Sequence, residues 1–135
     1  MHLRLPNVEW KQEDSLIALN SMPGMGPARI NKLITTGQLC AFVQRHPDSA
    51  RLYENMQQQR QTAHEMGAQF VPEWSAYYPA LLSHLEHPPP LLHALGDLDL
   101  LNHQPPAVAI VGARACTAYG REQAKLFGKS MAFAQ

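Results

Sequence analysis

The residues with the clearest capacity for chemistry follow an apolar run late in the sequence. The run Ala107-Val108-Ala109-Ile110-Val111 is rich in β-branched residues, which is typical of a strand buried on both faces of a parallel sheet. It leads into Gly112 and Arg114, and Thr117 and Gly120 precede an amphipathic helix. A strand, a glycine-bearing loop and a helix present amides and a helix N-terminus to an anion, and arginine adds charge-assisted hydrogen bonds. The pattern indicates a phosphate-binding loop.

The loop lacks the spacing of a dinucleotide-binding fingerprint. That fingerprint needs G-x-G-x-x-G, whereas Gly112 is followed by no glycine before Gly120. Cys116 could form a reactive thiolate at the helix N-terminus, although a small packing residue is the favoured interpretation. His46 and His64 have no nearby ligand set. We therefore predict no cofactor and no metal site.

A second candidate phosphate contact is the turn Pro23-Gly24-Met25-Gly26 between two predicted helices. Proline removes an amide donor, and glycine permits positive φ, so the chain turns tightly here. The arrangement resembles a helix-hairpin-helix motif, whose turn amides can hold a DNA phosphate. Gly24 and Gly26, with Arg29 nearby, could make that contact. The same turn also serves as a plain connector, and this structural interpretation is favoured.

The predicted secondary structure changes after Gly67, from helices to a mixture of strands and helices. Helical spacing and breakers predict four or five short helices before Gly67, the first capped by Asp14 or Ser15. Short strands are expected near residues 69–71 and 91–95, with a short helix over 80–85 between them. Trp74, Tyr77 and Tyr78 have no basic residue among them, which favours packing over base stacking. We predict a helical module followed by the first unit of a Rossmann-like α/β fold.

Composition and charge exclude some classes of protein. The chain of 135 residues carries 11 basic and 11 acidic residues, but the neutral sum hides an uneven distribution. Residues 1–66 carry +1, residues 67–106 carry −4, and residues 107–135 carry +3. No apolar stretch approaches the length of a membrane span. The absence of a signal sequence and the presence of only two cysteines predict a cytosolic protein.

Residues 67–135 resemble the DNA-processing protein A family, also called DprA or Smf. The resemblance rests on three motifs in order: Tyr78-Pro79-Ala80-Leu81-Leu82, then Pro88-Pro89-Pro90 with Leu91-Leu92 and Gly96-Asp97, then Ala109-Ile110-Val111-Gly112-Ala113-Arg114 with Thr117 and Tyr119-Gly120 in register. The helical module before them is similar to the family's N-terminal SAM-like extension, which contains a helix-hairpin-helix.

The resemblance implies a cytosolic bacterial protein that binds single-stranded DNA during natural transformation, protects it and helps load RecA onto it. The implied fold is α/β overall. A SAM-like module containing a helix-hairpin-helix occupies residues 1–66, and the beginning of a Rossmann-like parallel-sheet domain occupies residues 67–135. The resemblance implies no catalytic turnover, no membrane contact and, in the full-length protein, a homodimer.

The family's site residues carry over onto this loop. Arg114 matches an arginine that contacts DNA phosphates in a basic pocket, Gly112 and Thr117 match the surrounding loop, and Tyr119-Gly120 begins the following helix. Ala113 departs from the family pattern, which commonly has serine, so a hydroxyl contact is lost and only the amide remains. The family's domain also continues well past residue 135, and we therefore expect this chain to be a fragment.

Two other functions remain open at the level of sequence. Rossmann-like nucleotide phosphoribohydrolases of the lysine-decarboxylase-like type have a similar Gly-Ser-Arg-like loop, but they need an acidic catalytic motif that this sequence lacks. In a protein-docking module, the helical half would recruit a partner and the other half would act as a scaffold.

Overall fold

The computed structural model describes residues 9–102 and 108–132. The chain divides into two compact units, residues 1–103 and residues 104–135. Within residues 9–102, the first unit contains four helices and two strands: α1 (Gln12–Asn20), α2 (Pro27–Thr35), α3 (Leu39–Arg45), α4 (Ser49–Met66), β1 (Ala68–Pro72) and β2 (Leu91–Leu95). It also contains 3₁₀ turns at Ala80–His84 and Leu98–Leu101. The second unit contains α5 (Ala118–Ala132).

Helix α1 is the centre of the first unit. Four consecutive apolar residues, Leu16 to Leu19, are fully buried, so this part of the helix is covered on every side, as a segment that is apolar all round requires. Helices α2, α3 and α4 contact α1. They contribute Ile30, Val43 and Met56, which are all less than 2% exposed. The four helices therefore build a core around α1.

The predicted cap of α1 is wrong. The helix begins at Gln12 with Lys11 as its N-cap, so Asp14 and Ser15 lie inside it. The Ser15 hydroxyl donates to the carbonyl oxygen of Lys11 at 2.9 Å, and Asp14 binds Arg60 of α4. Both side chains thus have partners that compete with a capping role.

Strands β1 and β2 form an antiparallel pair with a register from Ala68 opposite Leu95 to Pro72 opposite Leu91. Gly67, at a φ of 68°, ends α4 in the left-handed conformation and passes directly into β1, as a helix-ending glycine commonly does. Leu91 lies in the same buried cluster as the helices. The strand pair therefore packs on the helical core.

Arg60 joins three elements of this unit. Its Nη2 lies 2.8 Å from Glu13 Oε1, and its Nε donates to Asp14 Oδ1 at 2.8 Å. Its guanidinium carbon lies 5.9 Å from the ring centre of Phe70 on β1. Burial lowers the pKa of Arg60, but the hydrogen bonds and charges of Asp14 and Glu13 outweigh this and raise it above its usual value. The contacts tie α4 to α1 and to β1.

The predicted strand over residues 107–112 is not present in the structure. Residues 108–112 form neither helix nor strand, and Ala107 lies outside the described residues. Val108, Ile110 and Val111 are 54–89% exposed. A strand needs a hydrogen-bonded neighbour, and the only sheet among residues 9–102 and 108–132 is the antiparallel pair β1–β2. The predicted parallel sheet is thus not found within those ranges, and the division into residues 1–66 and 67–135 stays a prediction.

Candidate nucleic-acid interface

The loop before α5 is organised by Thr117. The hydroxyl oxygen of Thr117 accepts a hydrogen bond from the backbone N–H of Gly120 at 3.1 Å. The Thr117 carbonyl accepts the first intrahelical bond, from the N–H of Arg121 at 3.0 Å. These two bonds make Thr117 the N-cap of α5, a position at which threonine is favoured.

The cap decides which amides remain for an anion. Gly120 N–H is already engaged by Thr117, whereas the amides of Ala118 and Tyr119 precede the first intrahelical donor, Arg121. The first amides of a helix have no intrahelical acceptor, and they carry the positive end of the helix dipole. An anion would therefore be bound through Ala118 and Tyr119 rather than through Gly120.

The remaining predicted site residues lie in one continuous exposed segment. Gly112 and Ala113 lie outside regular structure, and Arg114 lies in a turn with Ala115. Arg114 and the free thiol of Cys116 are exposed. The segment places a guanidinium three residues before a capped helix N-terminus, which is a chemically sound arrangement for binding phosphate.

Helix α5 adds a stripe of positive charge. Arg121, Lys125 and Lys129 follow one another at a spacing of four residues, so they lie on one face of the helix. Lys125 Nζ forms an ion pair with Glu122 Oε1 at 3.0 Å, but both side chains are at least 60% exposed. Such an exposed pair contributes little, so the stripe remains open to an anionic ligand.

A second face of α5 is apolar and lies open within its own unit. The spacing of Ala124, Phe127, Met131 and Ala132 places them together on one side of the helix. Phe127 and Met131 are 58% and 46% exposed. The amphipathic pattern is present, but no sheet covers it among residues 108–132.

The hairpin has the predicted helix, tight turn and helix. Gly24 has a φ of 79° and needs glycine, whereas Gly26 is the N-cap of α2 at a φ of −84°. Positive φ is therefore used at Gly24 and not at Gly26. Met25 is buried in the core, while Gly24, Gly26 and Arg29 are exposed. The turn is thus anchored from within and presents its backbone outward.

The aromatic and proline motifs of the second half hold the fold together. Tyr78 is buried, and its hydroxyl donates to the carbonyl of Pro89 at 2.7 Å. The N–H of Glu73 donates to the carbonyl of Pro90 at 3.0 Å, and the Asn31 amide of α2 donates to the carbonyl of Pro88 at 3.0 Å. Trp74 and Tyr77 stay about two-fifths exposed. The proline segment therefore serves packing, and it joins the helices to the strand pair.

Burial affects two ionisable groups in this region. Burial raises the pKa of the Glu73 carboxyl. Burial also raises the pKa of Tyr78, and the charge of Glu73 raises it further. No group of three or more His, Cys, Asp or Glu residues suited to a metal ion occurs within residues 9–102 and 108–132.

Sequence reasoning missed one cluster on the first unit. The Arg29 guanidinium carbon lies 6.0 Å from the ring centre of Phe42, and the His46 ring lies 6.0 Å from the same ring. A signal was present in the sequence, since no acidic residue occurs from Ser15 to Pro47. Counting charge over residues 1–66 as a whole conceals that stretch.

The second half of the chain matches a protein family. Residues 69–135 match the family described as DNA recombination-mediator protein A. Searches of curated proteins and of solved structures found no significant match. Among the described residues, no helix is both long enough and apolar enough to cross a bilayer.

Proposed function

Because the chain belongs, through residues 69–135, to the DNA recombination-mediator protein A family, we propose that it binds single-stranded DNA through the loop of residues 112–120. The observation that carries this proposal is the position of Arg114, which lies exposed in the turn before the capped N-terminus of α5. One DNA phosphate would accept hydrogen bonds from the Arg114 guanidinium and from the amides of Ala118 and Tyr119.

Neighbouring phosphates would meet the basic face of α5. Arg121, Lys125 and Lys129 extend the positive charge along the helix for two further turns. Binding governed by such contacts releases counterions, with a slope of log K against log salt of about −0.7 per neutralised phosphate on single strands. With a net charge of +3 in this unit, we expect a slope of about −2. We also expect weak binding, with a Kd of roughly 10⁻⁴ to 10⁻⁶ M.

The hairpin of the helical module is proposed as a secondary phosphate contact. Gly24 and Gly26 present backbone at an exposed turn, and Arg29 lies in the first turn of α2. Helix N-termini bind phosphate through such amides. This contact would position the strand without reading its sequence.

The finer architecture and the partners are also proposals. The exposed run Val108–Val111 and the exposed Phe127 and Met131 support the beginning of a Rossmann-like domain, because these are surfaces that a parallel sheet would cover. We propose a SAM-like module in residues 1–66, RecA as a partner in natural transformation within the cytosol, and a homodimer of the full-length protein. The proposal about RecA is tested by measuring how much RecA is recovered on immobilised single-stranded DNA with and without this chain. We expect more RecA to be recovered when the chain is present.

The DNA-binding proposal is tested by fluorescence anisotropy with labelled oligo-dT. We expect Arg114→Ala to weaken binding about tenfold, since a hydrogen bond to a charged group is worth about 1.5 kcal/mol or more. Arg51→Ala is the matched control, because Arg51 is also an exposed arginine and lies in the first turn of α4. Equal affinities of the wild type and the Arg114→Ala variant would contradict the proposed site. Saturable AMP binding without oligonucleotide binding would instead favour the nucleotide-hydrolase alternative.

A further inference from the structure

A continuous stretch of the first unit carries positive charge and no negative charge. Residues 15–47 contain Arg29, Lys32 and Arg45 and no aspartate or glutamate. All three cations are exposed, and within residues 9–102 and 108–132 none of them forms an ion pair. The nearest acids in sequence are Asp14, which binds Arg60, and Asp48, which is the N-cap of α4. This surface is therefore complementary to an anion.

A groove beside the C-terminal half of α3 adds aromatic character to that charge. The groove measures about 460 Å³, within the size range of small-ligand sites. It is lined by Gln38, Ala41, Phe42, Arg45, His46 and Pro47. Phe42 is half-buried because it also packs against the helical core. Its ring therefore offers a fixed platform rather than a mobile side chain.

Two neighbours fix the surroundings of the Phe42 ring. The Arg29 guanidinium lies 6.0 Å from the ring centre, within the range of a cation–π contact. The His46 ring is tilted 41° to Phe42 at 6.0 Å, and its Nδ1 accepts the backbone N–H of Asp48 at 3.2 Å. That bond assigns the proton of the neutral imidazole to Nε2, which can donate to a ligand.

We propose that this groove binds a nucleobase of single-stranded DNA, with Arg29 and Arg45 on the flanking phosphates. The cations account for an anionic ligand, and the rings of Phe42 and His46 account for a flat aromatic group, since bases stack on such side chains and on guanidinium planes. The proposal rests on the DNA binding proposed above and gives the helical module a part in it. An acidic peptide would satisfy the cations but would leave the rings without a partner.

The test compares oligo-dT with an abasic phosphodiester of the same length, using the full chain. The wild type is expected to prefer oligo-dT, and Phe42→Leu is expected to reduce that preference about fivefold or more. Arg45→Gln is expected to lower the affinity for both ligands several-fold. It should also make the slope of log K against log salt shallower by about 0.7. Arg51→Gln is the control, because it removes an exposed arginine outside residues 15–47. It is expected to leave the affinity for both ligands unchanged.

Further outcomes separate this proposal from the one at Arg114. Circular dichroism and thermal melting establish that Phe42→Leu is folded, and Arg45→Gln tests the groove without touching the core. If Arg114→Ala weakens oligo-dT binding while Phe42→Leu and Arg45→Gln match Arg51→Gln, the groove proposal is overturned and the loop proposal stands. Absence of any oligo-dT binding by the wild type overturns both. Equal affinity for the two ligands, or capture of poly-glutamate that depends on Arg45, overturns the base-binding assignment alone.

Discussion

Thr117 shows how one hydroxyl shapes the candidate phosphate site. Its oxygen holds Gly120 N–H, and so the cap selects Ala118 and Tyr119 as the amides that remain for an anion. The sequence analysis assigned Thr117 to the loop and did not identify it as the N-cap of α5. The signal was local, since threonine three residues before Gly120 and directly before a helix fits an N-cap.

Thr117→Val is expected to lower the stability of α5 by about 1 kcal/mol, because valine fills the same space but has no oxygen to cap the helix. Hydrogen exchange measured by NMR should show reduced protection at Gly120 N–H, and oligo-dT affinity should fall with it. Thr117→Ser keeps the hydroxyl and should restore both. Unchanged protection in the valine variant would contradict the assigned cap.

Glu73 is expected to make stability depend on pH. A free glutamate titrates near pH 4.3, and burial raises the pKa of Glu73 in the folded protein. Its contribution to stability is therefore fully present below the unfolded pKa and is lost as the pH rises through the folded pKa. Glu73→Gln should accordingly raise the melting temperature at neutral pH and have no effect below about pH 4.

The same substitution should affect a neighbour. Burial and then the charge of Glu73 raise the pKa of Tyr78, so Glu73→Gln should lower the pKa of that phenol, as followed by ultraviolet titration. Glu86→Gln, which replaces an exposed glutamate, is the control and should change neither quantity. A melting temperature that is the same for Glu73→Gln and the wild type at neutral pH would argue against a cost of burying this carboxylate.

At the scale of elements, Arg60 links α4 to α1 and β1. Arg60→Met should lower the free energy of unfolding by about 1 kcal/mol, near the upper end for partly exposed ion pairs. Arg60→Lys should recover only part of this, because an ammonium lacks the planar fork that reaches two carboxylates. Urea unfolding measures both variants. The loss should diminish at high salt, and an unchanged midpoint for Arg60→Met would contradict the linking role.

Elements with local signals were predicted well, and elements that depend on distant partners were not. Gly67 ends α4 as expected, and β2 covers residues 91–95 as expected. The prediction of a strand over residues 107–112 was wrong, because an apolar run does not specify which neighbouring strand would pair with it. The predicted start of α1 was wrong because Ser15 donates to the carbonyl of Lys11 and Asp14 binds Arg60 of α4, so neither side chain caps the helix.

At the scale of the whole molecule, neutral charge is a sum of unlike parts. The acid-free stretch of residues 15–47 and the basic α5 carry the positive surfaces, and residues 67–106 carry four acids and no lysine or arginine. The loop of the candidate site could be predicted from its order of residues. The contact of Arg29 with the Phe42 ring of the groove could not, because it arises only when α2 packs against α3.

Helix α4 is the longest described helix of the first unit, and its two ends meet different parts of that unit. It extends over 18 residues, which corresponds to about 27 Å at 1.5 Å per residue. Its N-cap Asp48 holds the His46 ring of the groove, and its last turn continues through the single residue Gly67 into β1. Because the connections at both ends are short, α4 fixes the distance between His46 of the groove and the start of β1 at Ala68.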